Sequence, residues 1–151
     1  MGLLERFGKG GATVAVELTA PVGQAGGSLS GHVVVTGGKR VQHIGGVKVW
    51  LAQTTSINLV TGTTDAVNDM KTRPRAVEMQ FEVQPGASQR VPFELELPKL
   101  LPSSRLKVNG EPGAKLIEYA VCASADIKGQ IDPQGKTSVE IAGGIDLELS
   151  I

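Results

Sequence analysis

The chain has 151 residues, of which fifteen are basic and fifteen acidic, with one cysteine, 3% aromatics, and 20 glycines and 8 prolines set between short apolar runs. A single domain of this length buries roughly 70% of the surface its unfolded chain exposes, so its core needs no disulfide or metal staple. The balanced charge lacks the basic excess of a nucleic-acid or anionic-membrane binder, and the lone Cys122 excludes an intramolecular disulfide framework and favours a reducing, cytoplasmic setting.

Leu3, Leu4 and Phe7 give one apolar helical edge that Gly8, Gly10 and Gly11 end, so residues 1–12 are expected to form a short N-terminal helix or arm. Such an edge either touches a membrane or partner or packs as a terminal turn on its own domain. Three apolar residues are a small area against the two signals that firm membrane anchoring takes. The N-terminus has no apolar run long enough for a signal peptide or a span, and Arg6 stands where a myristoylation signal wants Ser or Thr.

Residues 13–151 are expected to be one β domain. Thr13 to Thr19 alternates, with Val14, Val16 and Leu18 inward, and Pro21 to Gly27 is a Pro/Gly loop. Leu29, Gly31, Val33 and Val35 then share one face of a second strand, in which Gly31 marks a bulge or a close backbone approach. A third strand runs from about His43 to Thr55, with Val47, Val49 and Leu51 inward and the only tryptophan, Trp50, on the Lys48 side, partly covered or a surface anchor. Ser56 to Thr72 is polar and turn-rich and is expected to be a long loop or loose hairpin. It leads into Lys71, Arg73 and Arg75, alternate residues that an extended chain sets on one side as a small basic row. That row is a candidate contact for an acidic or phosphorylated partner, or else a charged edge that discourages aggregation.

From Arg75 to Pro98 two alternating runs meet at Pro85-Gly86. Val77, Met79, Phe81 and Val83 oppose Glu78, Gln80 and Glu82, and Val91, Phe93, Leu95 and Leu97 repeat the pattern, which predicts an antiparallel hairpin. Lys99 to Gly113, flanked and interrupted by Pro98, Pro102 and Pro112, is expected to be a long connection. Ile117, Tyr119, Val121, Ala123 and Ala125 line one face of a strand over Leu116 to Ile127. Asp132 to Gly135 is a turn, and Thr137 to Ile141 and Ile145 to Ile151 are the last strands across Gly143-Gly144. About eight one-sided strands are most economically buried as an all-β sandwich of two antiparallel sheets.

Candidate chemistry is sparse. The segment ending in Gly135, Lys136 and Thr137 echoes a phosphate loop, but five residues rather than four separate its glycines, and a strand rather than a helix follows. His32, His43 and Cys122 lack metal-ligand spacing and could form a site only by converging in three dimensions. No catalytic, cofactor-binding or metal-binding residue is expected. Two other roles stay open: a protein-interaction module, self-associating or not, and a small-molecule or lipid binder that uses the gap between sheets near Ala120, Ala123 and Ala125.

The order of these signals resembles a known family. Gly27, Gly31, Val33 and Val35 match an arrestin-like opening of the form x-Gly-x-Val-x-Val. Phe81, Pro85, Gly86, Pro92, Phe93, Leu95, Pro98, Asp126, Ile127, Asp132 and Pro133 resemble the bacterial sporulation-control stage-zero M proteins over nearly the whole chain. The resemblance implies an immunoglobulin-like sandwich of the arrestin N-terminal type. It also implies a cytoplasmic regulator or scaffold that works by protein–protein contact rather than catalysis. Members generally carry a second such lobe and an acidic tail, and this chain accounts for one lobe.

Overall fold

The computed structural model describes residues 11–58, 64–72, 74–78 and 80–150. The expected arm over residues 1–12 falls almost wholly outside them, but Ala12 already sits in the core at 2% exposure. The described residues form thirteen strands: β1 (Thr13–Leu18), β2 (Val22–Gln24), β3 (Ser28–Thr36), β4 (Gln42–Asn58), β5 (Thr64–Lys71), β6 (Arg75–Glu78), β7 (Phe81–Val83), β8 (Ser88–Glu96), β9 (Pro102–Val108), β10 (Glu111–Lys115), β11 (Ile117–Ile127), β12 (Gln134–Ala142) and β13 (Ile145–Leu149). No helix occurs among the described residues.

A three-stranded sheet, β1-β3-β8, faces a seven-stranded one in which β2-β12-β11-β4-β5 is extended by β6 and β7, both paired with β4. The alternation read from the sequence sets which side of each strand is buried. On β3, Leu29, Val33 and Val35 point inward, and on β4 and β11 so do Val47, Val49, Leu51, Tyr119, Val121, Ala123 and Ala125, all at 3% exposure or less. These side chains form one core cluster between the sheets. Burying a Val or Leu side chain contributes about 1.5–3 kcal/mol, so two facing rows of them carry the domain. A third, smaller sheet, β10-β9-β13, lies alongside.

Several expectations are corrected. Arg75 to Pro98 is not a hairpin: β6 and β7 pair with β4 in one sheet, while β8 pairs with β3 in the other. The turn itself exists, with the Ala87 N–H donating to the Gln84 carbonyl at 3.1 Å and Gly86 at φ 71°. It carries the chain across the core instead of folding it back on itself. The supposed long connection from Lys99 to Gly113 holds β9 and β10, joined at Asn109 (φ 51°) and Gly110 (φ 81°), the backbone a tight hairpin turn requires. The Pro21–Gly27 loop contains β2, and Asp132 to Gly135 is not the turn, which comes at Lys128 and Gly129, with β12 starting at Gln134. The sheets are not wholly antiparallel either, because β2 runs parallel to β12 and β13 parallel to β9.

Gly31 and Gly135 are among the glycines that close approach requires. A Cβ on Gly31 would lie 2.1 Å from the Glu17 carbonyl oxygen, so of the two options at Gly31 the close approach is the one adopted, with the β1–β3 register unbroken. A Cβ on Gly135 would lie 2.3 Å from the Val14 carbonyl oxygen. The glycine of the Gly-Lys-Thr triplet therefore lets β1 lie against β12, and Lys136 and Thr137 continue that strand.

Candidate functional site

Sheet edges are the surfaces at which such a body can take up another chain, since an edge strand leaves a row of main-chain donors and acceptors without partners. The edges here differ in how they are guarded. On β8, the Leu97 N–H donates to the Gly27 carbonyl at 2.8 Å, and the Ala87 carbonyl accepts from Gly37 N–H at 2.8 Å. The odd-numbered residues thus turn toward β3, and Ser88, Arg90, Pro92, Glu94 and Glu96 direct their main-chain groups to the open side. Pro92 has no N–H, so it breaks that row at its centre. On the same strand the Arg90 guanidinium meets the Glu17 carboxylate at 2.8 Å. The β1 edge is covered at Val14 by Gly135 of β12.

On β13, the Ile145 N–H donates to the Leu101 carbonyl at 2.6 Å and the Leu149 carbonyl accepts from the Asn109 N–H at 2.9 Å. The odd residues bond toward β9, and Asp146 and Glu148 present their main-chain groups outward. The strand contains no proline and no lysine, and no strand pairs with its outer side among the described residues. Ile145 and Leu149 are each 48% exposed, while Leu147 between them packs against the core. On the opposite face the Lys107 ammonium bonds the Asp146 carboxylate at 2.8 Å. That bond, together with attraction to Asp146 and more weakly to Glu148, raises the Lys107 pKa above the usual lysine value.

The described residues hold two members of the predicted basic row. Lys71 ends β5 opposite Ala52, Arg75 opens β6 opposite Val49, and Arg73 lies outside the described residues. Ala52 and Val49 have opposite parity on β4. Arg75 is exposed.

The remaining candidates resolve by position. His32 lies on the outer side of β3, whereas His43 and Cys122 lie on the outer sides of β4 and β11, so His32 and Cys122 face away from one another across the sandwich. No cluster of three or more His, Cys, Asp and Glu side chains suited to a metal occurs among the described residues. His43 Nδ1 stands 3.2 Å from Glu82 Oε1 beside a cleft of about 570 Å³ that Gln80, Phe81, Asp126 and Lys128 also line. A Cβ on Gly45 would sit 2.9 Å from Asp126 Oδ2, so the glycine makes room for that carboxylate. Between the sheets, Val33, Val35, Val47, Val49, Val121, Ala123 and Ala125 are 0% exposed, which leaves no water-sized space beside them for a ligand. Trp50 is half-buried on the outer face opposite Cys122.

No residue-level signal marked β13 as an edge in the sequence. The Pro92 signal, a proline inside an alternating run, was available for β8.

A family model described as SpoOM protein matches residues 1–145. Among curated proteins none matches the chain. Among solved structures, Spo0M, the sporulation control protein of Bacillus subtilis, superposes with a TM-score of 0.68 at 26% identity, covering 87% of this chain and 49% of that one. The chain thus spans about half the length of that protein and shares its arrestin-like sandwich.

Proposed function

This chain belongs to the Spo0M family, and from that membership we propose that it is a cytoplasmic regulatory or scaffold protein of the sporulation-control kind, without catalytic activity, that engages a protein partner through strand edges and loops. The observation that supports this role is the contrast between edges: β8 is interrupted by Pro92 and β1 is covered at Val14, yet among the described residues no strand pairs with the outer side of β13, which is bordered by exposed Ile145 and Leu149. Natural proteins guard edges they do not use, so an edge with neither proline nor a covering strand, beside apolar side chains, favours strand addition by a partner of matching charge. A packed interior weighs against the small-molecule or lipid alternative. No helix among the described residues is long and apolar enough to cross a membrane.

The test is hydrogen exchange on the protein free and bound to the partner it retains from its own host. Slowed exchange confined to strand edges and adjoining loops supports the role. A retained partner that slows no edge amide, or turnover of a bound small molecule, refutes it. Alanine substitution of Lys71, Arg73 and Arg75 together tests the proposed acidic contact, through weaker retention at low salt.

A further inference from the structure

We propose that the open side of β13 receives an extended segment whose apolar residues alternate with basic ones. This rests on the strand-edge role above and names the edge and the chemistry of its occupant. Asp146 and Glu148 carry the outward main-chain N–H and C=O groups, so a strand laid beside them extends the β10-β9-β13 sheet. Directly opposed residues of paired strands share a face. One set of the incoming side chains therefore falls beside Ile145 and Leu149 and removes these half-exposed groups from water. The other set falls on the face of Asp146 and Glu148. There two carboxylates stand against the single ammonium of Lys107, which is bonded to Asp146 at 2.8 Å and attracts Glu148 only weakly, and among the described residues Glu148 makes no ion pair of its own. Lysine or arginine in the incoming strand meets that weakly compensated carboxylate.

A second copy of this chain is a poor occupant. Antiparallel pairing of two β13 edges centred on Leu147 sets Asp146 against Glu148 of the other copy, twice over, and centring on Asp146 or Glu148 sets each against itself. Like charges directly opposed on a ladder are destabilising. The charge pattern thus selects a heterologous basic strand and works against self-association at this edge.

The experiment uses the whole chain and a short labelled peptide of alternating valine and lysine. Its comparisons are a twin with glutamate for lysine and a peptide of the same composition as the first with valines and lysines in separate blocks. Fluorescence anisotropy reads binding, and amide exchange at Asp146 and Glu148 reads location. The expected result is binding of the alternating valine-lysine peptide, slower exchange at those two amides, and affinity for the glutamate twin weaker by about tenfold or more. Glu148→Lys is expected to invert the preference between the twins. Glu148→Pro, which removes an outward donor while sparing the bonds to β9, is expected to abolish binding with the amide spectrum of the sandwich unchanged. Should that variant unfold, the inversion by Glu148→Lys decides alone. Equal binding of the twins, equal binding of the blocked peptide, or protection at β8 or at the His43 cleft overturns the assignment to β13. In that case a natural partner that still protects another edge leaves the general role standing, whereas loss of all edge protection removes both.

Discussion

Replacing Gly31 with alanine adds one methyl group at the most constrained point of the three-stranded sheet. Its carbon would sit 2.1 Å from the Glu17 carbonyl oxygen and 3.0 Å from Cζ of Phe93. A carbon and a carbonyl oxygen in comfortable contact stand about 3.3 Å apart, so β1 must retreat by roughly 1 Å. The phenyl ring can swing away, but the carbonyl belongs to a main chain held in continuous register from Thr13↔Thr36 to Leu18↔Gly31. Overpacking a well-filled site costs about 1–3 kcal/mol, and a backbone obstacle puts Gly31→Ala at about 3 kcal/mol, a sizeable share of a typical total of 5–15 kcal/mol. In urea, with a slope of about 2 kcal/mol per molar, the midpoint is expected to fall by about 1.5 M at constant slope. Two companions separate the causes. Gly86→Ala, at φ 71° with nothing within 4 Å of its added carbon, is expected to cost only the left-handed penalty of about 1–2 kcal/mol. Adding Phe93→Leu to Gly31→Ala should not restore stability, since the main-chain obstacle stays. A midpoint shift for Gly31→Ala below about 0.3 M, or full rescue by the Phe93 change, would refute the close-approach argument.

Further outcomes follow from other particular contacts. The Tyr119 hydroxyl donates to the Pro102 carbonyl, and burial raises its pKa to about 12 from 10. The neutral phenol is thus favoured in the native state. Its contribution is complete below pH 10 and is lost as pH rises from 10 toward 12, and Tyr119→Phe, costing about 1 kcal/mol at neutral pH, should abolish that alkaline slope in denaturation midpoints. Pro92→Val restores the missing outward donor of β8, and twofold pairing centred there sets Arg90 against Glu94 of a second copy. Sedimentation should show dimers at roughly tenfold lower concentration than for the parent, and a variant no more associated than its parent contradicts the guarding role. Asn109→Val places a β-branched residue at φ 51° and should cost at least about 1–2 kcal/mol, with faster amide exchange across β9 and β10 and little change elsewhere.

The contrast between β8 and β13 also shows how much of the site could be read in advance. Pro92 announces a strand edge because a missing donor is a property of one residue. The open side of β13 is announced by nothing, since Ile145, Leu147 and Leu149 alternate in the same way whether the strand is central or lateral. The boundary between β5, which ends at Lys71, and β6, which opens at Arg75, is likewise not announced by a spacing of two. The Asn109-Gly110 pair was a legible hairpin signal hidden by the prolines around it.

The order of residues by itself determined that this chain is built of strands and which side of each turns inward, because the period of two between apolar and polar side chains is a local property that burial then enforces. Val47, Val49, Leu51, Tyr119, Val121 and Ala123 lie inside for that reason. Only the tertiary structure decided which strands share hydrogen bonds. Every inward face is satisfied by the same core from either sheet, so alternation cannot tell whether Pro85-Gly86 folds a strand back beside its neighbour or carries it across to the opposite layer. Backbone donors and acceptors are alike in all strands, and it is packing of the whole chain that left the outer side of β13 without a strand partner among the described residues.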